Sequence, residues 1–253
     1  MGPKILNFLG KQFARFLNKP SSHYTSTSVF TPAQLRAVLK PGDVVLVEGN
    51  LRISSAIKYL TQSTWSHAAI YIGNQTSAQE TDDTPVLIEA DLEKGVISVP
   101  LAKYSTYNTR ICRPVRLTQE DCQKVVQYST SRIGNSYDLK NVLDLSRYLF
   151  PTPPVPLKMR RRLLAFGSSE PTKAICSTLI AQAFQSVLYP ILPIITHEEG
   201  QLSYGQEILH IRHHSLFVPR DFDLSPYFEI IKPTLNMSFN YKTLQWDDTE
   251  NLL

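Results

Sequence analysis

Short apolar runs separated by turn residues dominate the chain between residues 39 and 115. The first run follows the turn Pro41-Gly42-Asp43, and the others are bounded by similar polar or glycine-containing stretches. Runs of this length between turn residues are typical of β-strands. The predicted strands are Val44–Val47, His67–Ile72, Val86–Ala90, Val96–Leu101 and Arg110–Val115.

Helical periodicity replaces this pattern in two later segments. Thr118-x-x-Asp121 resembles a capping box at the start of the first helix, and Gly134 supplies a stop. The residues predicted on its inner face are Cys122, Val125, Val126, Ser129 and Ile133. A second helix is predicted at Ile175–Phe184.

The N-terminal segment is amphipathic and basic. Residues 4–19 place six apolar side chains on one helical face, with lysine and arginine mostly opposite. Such a helix could lie in an anionic membrane interface or pack on its own domain. Residues 20–32 are rich in Ser and Thr and favour a linker.

We therefore expect three parts along the chain. Residues 1–35 form the N-terminal helix and linker, residues 36–235 the main domain, and residues 236–253 a tail. A proline-rich stretch followed by basic residues interrupts the main domain at about 150–168. This insertion is either a lid or surface-contact element or a solvated connector.

Composition and charge narrow the class of protein. The chain has 253 residues, of which 42% are hydrophobic and 19% charged, as in globular proteins. No apolar run reaches the ~18 residues of a membrane span, so we expect no integral membrane protein. The net charge is +4, yet six basic residues precede Asp43, the first acidic one. The remainder is slightly acidic, which favours an anionic lipid surface over nucleic acid as the partner.

Cysteine usage points to a reducing compartment. The three cysteines are odd in number and widely spaced, so a disulfide framework is not expected. Lys11 and Arg15 interrupt the N-terminal apolar stretch, unlike a signal peptide. We expect a cytoplasmic protein, peripheral on the inner face of the membrane if residues 4–19 bind lipid. Nothing in the sequence indicates an oligomeric state.

Three residues that lie far apart in the sequence have the side chains that one type of reaction requires. His67 opens an apolar strand after a polar turn, Glu89 lies in the next strand, and Cys176 begins a helix whose dipole favours a thiolate. Cysteine, histidine and a carboxylate are the parts of nucleophilic acyl chemistry. Each residue alone also has an ordinary structural interpretation, namely a strand-edge histidine, a rim glutamate and a core cysteine.

Metal and cofactor chemistry find less support. His210, His213 and His214 have a spacing that could place three ligands on one helix face. No matching Cys or carboxylate motif accompanies them, and no glycine-rich phosphate loop is present. We therefore expect neither a metal nor a cofactor, and the metal-dependent hydrolase is a minor rival.

Five blocks in order resemble one family. They are LKPGDVVLVEG, SHAAIYIG, VLIEADLEKGVISVPL, GNSYDL and ICSTLIAQAF, between Leu39 and Phe184. These blocks are similar to the permuted NlpC-type papain-like cysteine hydrolases of the YiiX/YebB-like group. As in that group, the histidine precedes the cysteine along the chain.

The resemblance implies an α+β, circularly permuted papain-like fold, with an antiparallel sheet packed against helices and a Cys176/His67/Glu89 triad. It implies an amide or ester hydrolase or acyltransferase that acts through a Cys176 thioester. The group is also similar to lecithin retinol acyltransferase-like enzymes, so peptide and lipid acyl substrates both stay open. A binding module without catalysis is the alternative.

Three further residues are predicted at the substrate site. Trp65 and Ser66 precede His67 and are expected to line the pocket. The resemblance implies that Tyr137 lines it too or assists the oxyanion. For the Tyr137-Asp138 pair, the alternative is a helix-start cap by Asp138.

Overall fold

The computed structural model describes residues 24–26, 30–74, 81, 83–91, 94–135, 175–196, 208–210 and 212–233. Four expectations lie outside the described residues: the amphipathic helix 4–19, the insertion 150–168, Tyr137 with Asp138, and the tail 236–253. No helix among the described residues is long and apolar enough to cross a bilayer.

Five α-helices and eight strands form the described part of the fold. The helices are α1 Pro32–Val38, α2 Arg52–Thr61, α3 Gln119–Ser131, α4 Ile175–Gln185 and α5 Pro219–Leu224. The strands are β1 Val44–Val47, β2 His67–Tyr71, β3 Pro85–Asp91, β4 Gly95–Pro100, β5 Thr109–Pro114, β6 Ile194–Thr196, β7 Ile208–His210 and β8 Phe228–Ile231. Two 3₁₀ turns, Leu101–Tyr104 and His214–Leu216, follow β4 and precede α5.

Six of these strands form one antiparallel sheet in the order β4-β3-β2-β1-β5-β8. The five predicted strands are its first five members in chain order, with ends that differ by at most one residue. Strands β6 and β7 pair separately as a small second sheet. The α+β expectation is confirmed.

Both faces of the large sheet are covered. One face packs against α4, which contributes Leu179, Ile180, Ala183 and Phe184 to the core, and against α3. The other face packs against α1 and the Leu101–Tyr104 turn. This double cover explains why all four residues of β1 are buried and why its sequence is apolar without alternation.

Helix α3 begins where the sequence predicts and deviates at its end. Thr118 caps it by accepting a hydrogen bond from the Asp121 backbone N–H at 3.1 Å. Ile133 was expected on the inner face but is 41% exposed. The reason is that α3 ends at Ser131, so Ile133 lies beyond the helical period.

Helix α1 crosses the expected boundary between residues 35 and 36. Thr31 caps this helix, and Leu35 is only 1% exposed in the core. Leu35 therefore packs in the core of the main domain, and the domain boundaries themselves stay a prediction.

The late histidines do not share a helix face. His210 ends β7 and His214 begins a 3₁₀ turn, so the helical spacing that suggested a metal site is wrong here. The His213 and His214 rings lie 4.1 Å apart, centroid to centroid. In the described ranges, no three His, Cys, Asp or Glu side chains are grouped as metal ligands.

Candidate active site

The site lies where β2 begins, at the rim of the sheet. Ala69 of β2 is opposite Glu89 of β3, so strand alternation puts the His67 and Glu89 side chains on the same face. The His67 Nε2 atom lies 3.2 Å from Glu89 Oε2. The sheet register thus brings together two residues that the sequence separates by 22 positions.

Cys176 reaches the same point from the other side of the sheet. It is the second residue of α4 and is 7% exposed. His67 and the Ala68 backbone lie close enough to its thiol to lower the pKa of that group, and its Sγ lies 3.9 Å from the Ser177 hydroxyl. Because Glu89 occupies Nε2, the Nδ1 atom of His67 is the ring nitrogen left for the thiol.

The electrostatics of this contact favour an ion pair. Burial raises the pKa of Cys176, but the charge and hydrogen bond of His67 outweigh it and lower the pKa below the ordinary thiol value. For His67, burial lowers the pKa, while the Cys176 thiolate and Glu89 raise it to about 10. Both shifts therefore favour a thiolate beside an imidazolium.

Glu89 is ionised despite its burial. Its side chain is 1% exposed, and burial alone would raise its pKa. The hydrogen bond and charge of His67, together with the charge of Lys103, outweigh this effect and lower the pKa to about 2. Glu89 can therefore hold the imidazole in one tautomer and stabilise its protonated form.

Two residues that sequence reasoning missed complete the contacts of Glu89. The Tyr104 hydroxyl donates to Oε2, and the Lys103 ammonium contacts Oε1. Both residues lie in the turn directly after β4, in a stretch without a recognisable motif. The one available signal is chemical, because a glutamate in an apolar strand needs a cation or donors nearby.

Trp65 and Ser66 make contacts within the protein. The Ser66 hydroxyl accepts a hydrogen bond from the Gly49 backbone N–H at 2.9 Å. The Trp65 indole donates to Asp223 at 3.1 Å, and the Arg110 guanidinium lies 5.0 Å from its ring centroid. These contacts fix the chain that leads into His67, and the substrate role of the two residues stays a prediction.

The other two cysteines have the opposite electrostatic character. Cys112 is buried in β5, and burial raises its pKa strongly. Cys122 is half-buried against the Pro41 carbonyl, and burial and Asp43 raise its pKa. Of the three cysteines, Cys176 is the one with a lowered pKa.

Comparison with known proteins finds a similar family and a similar solved structure. Residues 38–150 match a family model described as permuted papain-like amidase enzyme, YaeF/YiiX, C92 family. The matched segment contains His67 and Glu89 and ends before Cys176. No curated protein matches the chain.

A solved structure, described as metalloprotein yiiX from Escherichia coli O157:H7, DUF1105, is similar to the chain. It shares 16% identity and covers 76% of this chain and 96% of its own, with a TM-score of 0.45. The resemblance expected from the five sequence blocks is confirmed. Residues 38–150 are thus similar to the permuted papain-like amidase family, YaeF/YiiX.

Proposed function

We propose that the chain cleaves an amide or ester bond through a thioester on Cys176, with His67 as base and acid and Glu89 as the residue that orients it. The observation that carries this proposal is the contact of Cys176, in the first turn of α4, with a His67 ring held by Glu89. Among the three cysteines, this one alone combines a lowered pKa with a histidine partner.

The steps follow from the ion pair. The Cys176 thiolate attacks the carbonyl carbon, and the His67 imidazolium gives its proton to the leaving amine or alcohol as the C–N or C–O bond breaks. His67 then removes a proton from the incoming water or alcohol, which attacks the thioester and frees the thiol. Water as acceptor gives hydrolysis, whereas an alcohol or amine gives acyl transfer.

The developing oxyanion needs donors near Cys176. Backbone N–H groups in the first turn of a helix have no intrahelical partner and carry partial positive charge. The first turn of α4 therefore supplies candidate donors to the substrate oxygen. Tyr137 is a further candidate and lies outside the described residues.

For the substrate, we propose an amphiphilic acyl compound at a membrane surface in preference to a small soluble peptide. The family description favours an amide bond. The basic, amphipathic pattern of residues 4–19 favours delivery from an anionic lipid surface. An N-acyl amide presented in a bilayer satisfies both arguments.

The test uses the full chain with three sets of candidates: soluble peptide amides, N-acyl amides in anionic vesicles, and lipid esters in anionic vesicles. Acid-quenched samples are analysed by intact and peptide mass spectrometry for an acyl adduct and for product. We expect the adduct on Cys176 with the N-acyl amides, and its loss in Cys176→Ala and His67→Ala. Cys122→Ala is the matched control and should keep full activity.

Turnover of all three sets at the rate of Cys176→Ala would contradict the proposal and favour the binding module. Turnover of the soluble peptides alone would retain the thiol mechanism and reject the membrane substrate.

A further inference from the structure

Three side chains make polar contacts with the Glu89 carboxylate, although this residue is almost fully buried. Its Oε2 atom accepts from Tyr104 and lies 3.2 Å from His67 Nε2, while Oε1 contacts the Lys103 ammonium. A carboxylate that is held at one oxygen can still rotate, because its terminal torsion is broad. With both oxygens held, one orientation keeps Oε2 towards the His67 ring.

The local fold explains why Lys103 and Tyr104 arrive together. The 3₁₀ turn Leu101–Tyr104 follows β4 without a break, and in such a turn residues three apart lie above each other. Leu101 and Tyr104 are accordingly both buried, at 1% and 4% exposure. Lys103 lies between them with its side chain 38% exposed, and its Nζ is 5.4 Å from the Tyr104 ring centroid.

Tyr104 also contacts the histidine side of the site. The Tyr104 and His67 rings are 6.1 Å apart, and Tyr107 packs edge-on against Tyr104 at 6.0 Å. Among the described residues, the titratable groups linked to Glu89 are thus His67 on β2, Cys176 on α4, and Lys103 and Tyr104 in the turn.

The charges of this group balance when the site is primed. The thiolate and Glu89 are negative, the imidazolium and Lys103 are positive, and the formal charges sum to zero. Without Lys103 the buried site would carry an excess negative charge beside the thiolate. Exposed lysine–carboxylate pairs usually contribute little, but this one acts on a carboxylate with almost no access to water.

We propose that Lys103 and Tyr104 are a positioning pair that keeps Glu89 ionised and turned towards His67, and that Lys103 is needed for the Cys176 thiolate at neutral pH. This inference rests on the proposed function, because it concerns the same thiol. It predicts that changes at two residues outside the triad alter the titration of Cys176.

The test follows iodoacetamide labelling of Cys176 in the full chain from about pH 5 to 10, with peptide mass spectrometry. Lys103→Met should raise the midpoint of the labelling profile by about one pH unit, since it removes a cation that offsets Glu89. Lys103→Arg should restore the wild-type midpoint. Tyr104→Phe, which removes one oxygen atom, should move the midpoint in the same direction by a smaller amount.

Two matched variants separate positioning from stability. Lys124 forms an exposed pair with Glu120 at 2.8 Å, and the Tyr189 hydroxyl donates to the Tyr227 carbonyl at 2.7 Å. Lys124→Met and Tyr189→Phe should leave the midpoint unchanged, whatever they do to Tm.

The outcomes distinguish this inference from the proposed function. A wild-type midpoint at the ordinary thiol value of about 8.5 would overturn both. A low wild-type midpoint that Lys103→Met and Tyr104→Phe leave in place would overturn the positioning role alone. If Lys103→Met does not fold, Tyr104→Phe decides in the same way.

Discussion

His67 connects Glu89 and Cys176 through its two ring nitrogens. Its Nε2 is held by Glu89 at 3.2 Å, and its other side faces Cys176. A histidine with a pKa of about 10 is protonated at neutral pH, so it enters the reaction as an acid rather than as a free base. The imidazolium of His67 is therefore the acid of the proposed mechanism.

This ionisation sets a pH profile. We expect kcat/KM to rise with pH as Cys176 loses its proton, below the ordinary thiol value, and to fall as pH passes about 10 and His67 loses its own. Initial rates across pH on the substrate that forms the adduct would measure both limbs. A single limb centred near the ordinary histidine value would contradict the ion pair.

The ionisation of Glu89 makes the free energy of unfolding depend on pH in the acid range. Its folded pKa of about 2 lies below the ordinary glutamate value of 4.5, so its contribution to the free energy of unfolding is present above pH 4.5 and is lost as pH falls towards 2. In Glu89→Gln the free energy of unfolding should accordingly change less between about pH 5 and 2 than in wild type. Urea titrations at several pH values measure this slope, and equal slopes would contradict the account.

The triad residues could be proposed from sequence, whereas their supporting contacts could not. His67, Glu89 and Cys176 each carry a distinctive local context. Lys103 and Tyr104 act through the register of β3 with β4 and the turn that follows, neither of which single-sequence patterns define. Strand pairing between distant segments leaves no signal in the spacing of residues within one segment.

At the scale of elements, caps and apolar runs predicted some of the boundaries and not others. Thr118 predicted the start of α3, and the five apolar runs predicted five strands. Helix α2 was missed by the sequence analysis, because its N-cap residue, Leu51, forms no side-chain capping hydrogen bond that would mark the start. Helix α1 was also missed, although Thr31 and Gln34 form a capping box with Pro32 at its start.

The α3 cap gives a prediction that leaves the site untouched. Thr118→Ala removes the acceptor for the Asp121 N–H and should lower the free energy of unfolding by about 1 kcal/mol. Thr118→Ser keeps the hydroxyl and is the matched control. Denaturant melts of the three proteins should rank Ala below Ser and wild type, and an unchanged midpoint for Ala would refute the role of the cap.

At the scale of the whole molecule, the residues before Asp43 have a positive net charge, whereas the rest of the chain is slightly negative. Six basic residues precede Asp43, and the rest of the chain is slightly acidic. This distribution would bring residues 4–19 towards an anionic surface, at roughly 1 kcal/mol per basic residue near the surface.

Vesicle flotation tests this orientation. The full chain should float with anionic vesicles and not with neutral ones, and salt should weaken the binding. A chain that begins at residue 24 keeps the Tyr24 hydroxyl, which accepts from the Asn108 N–H at 2.9 Å, and should stay at the bottom of the gradient. Equal flotation of both chains would show that residues 4–19 are not the anchor.

The central claim is that Cys176 is a primed thiolate, and the three cysteines of one chain offer an internal comparison. Native protein is labelled with iodoacetamide across pH, and each cysteine is quantified by peptide mass spectrometry. The account predicts that Cys176 reacts well below the ordinary thiol value of about 8.5, and that His67→Ala moves its midpoint upward. Cys112 and Cys122, whose pKa values are raised, should stay unreactive in that range. An inert Cys176 beside a reactive Cys112 or Cys122 in folded protein would contradict the account.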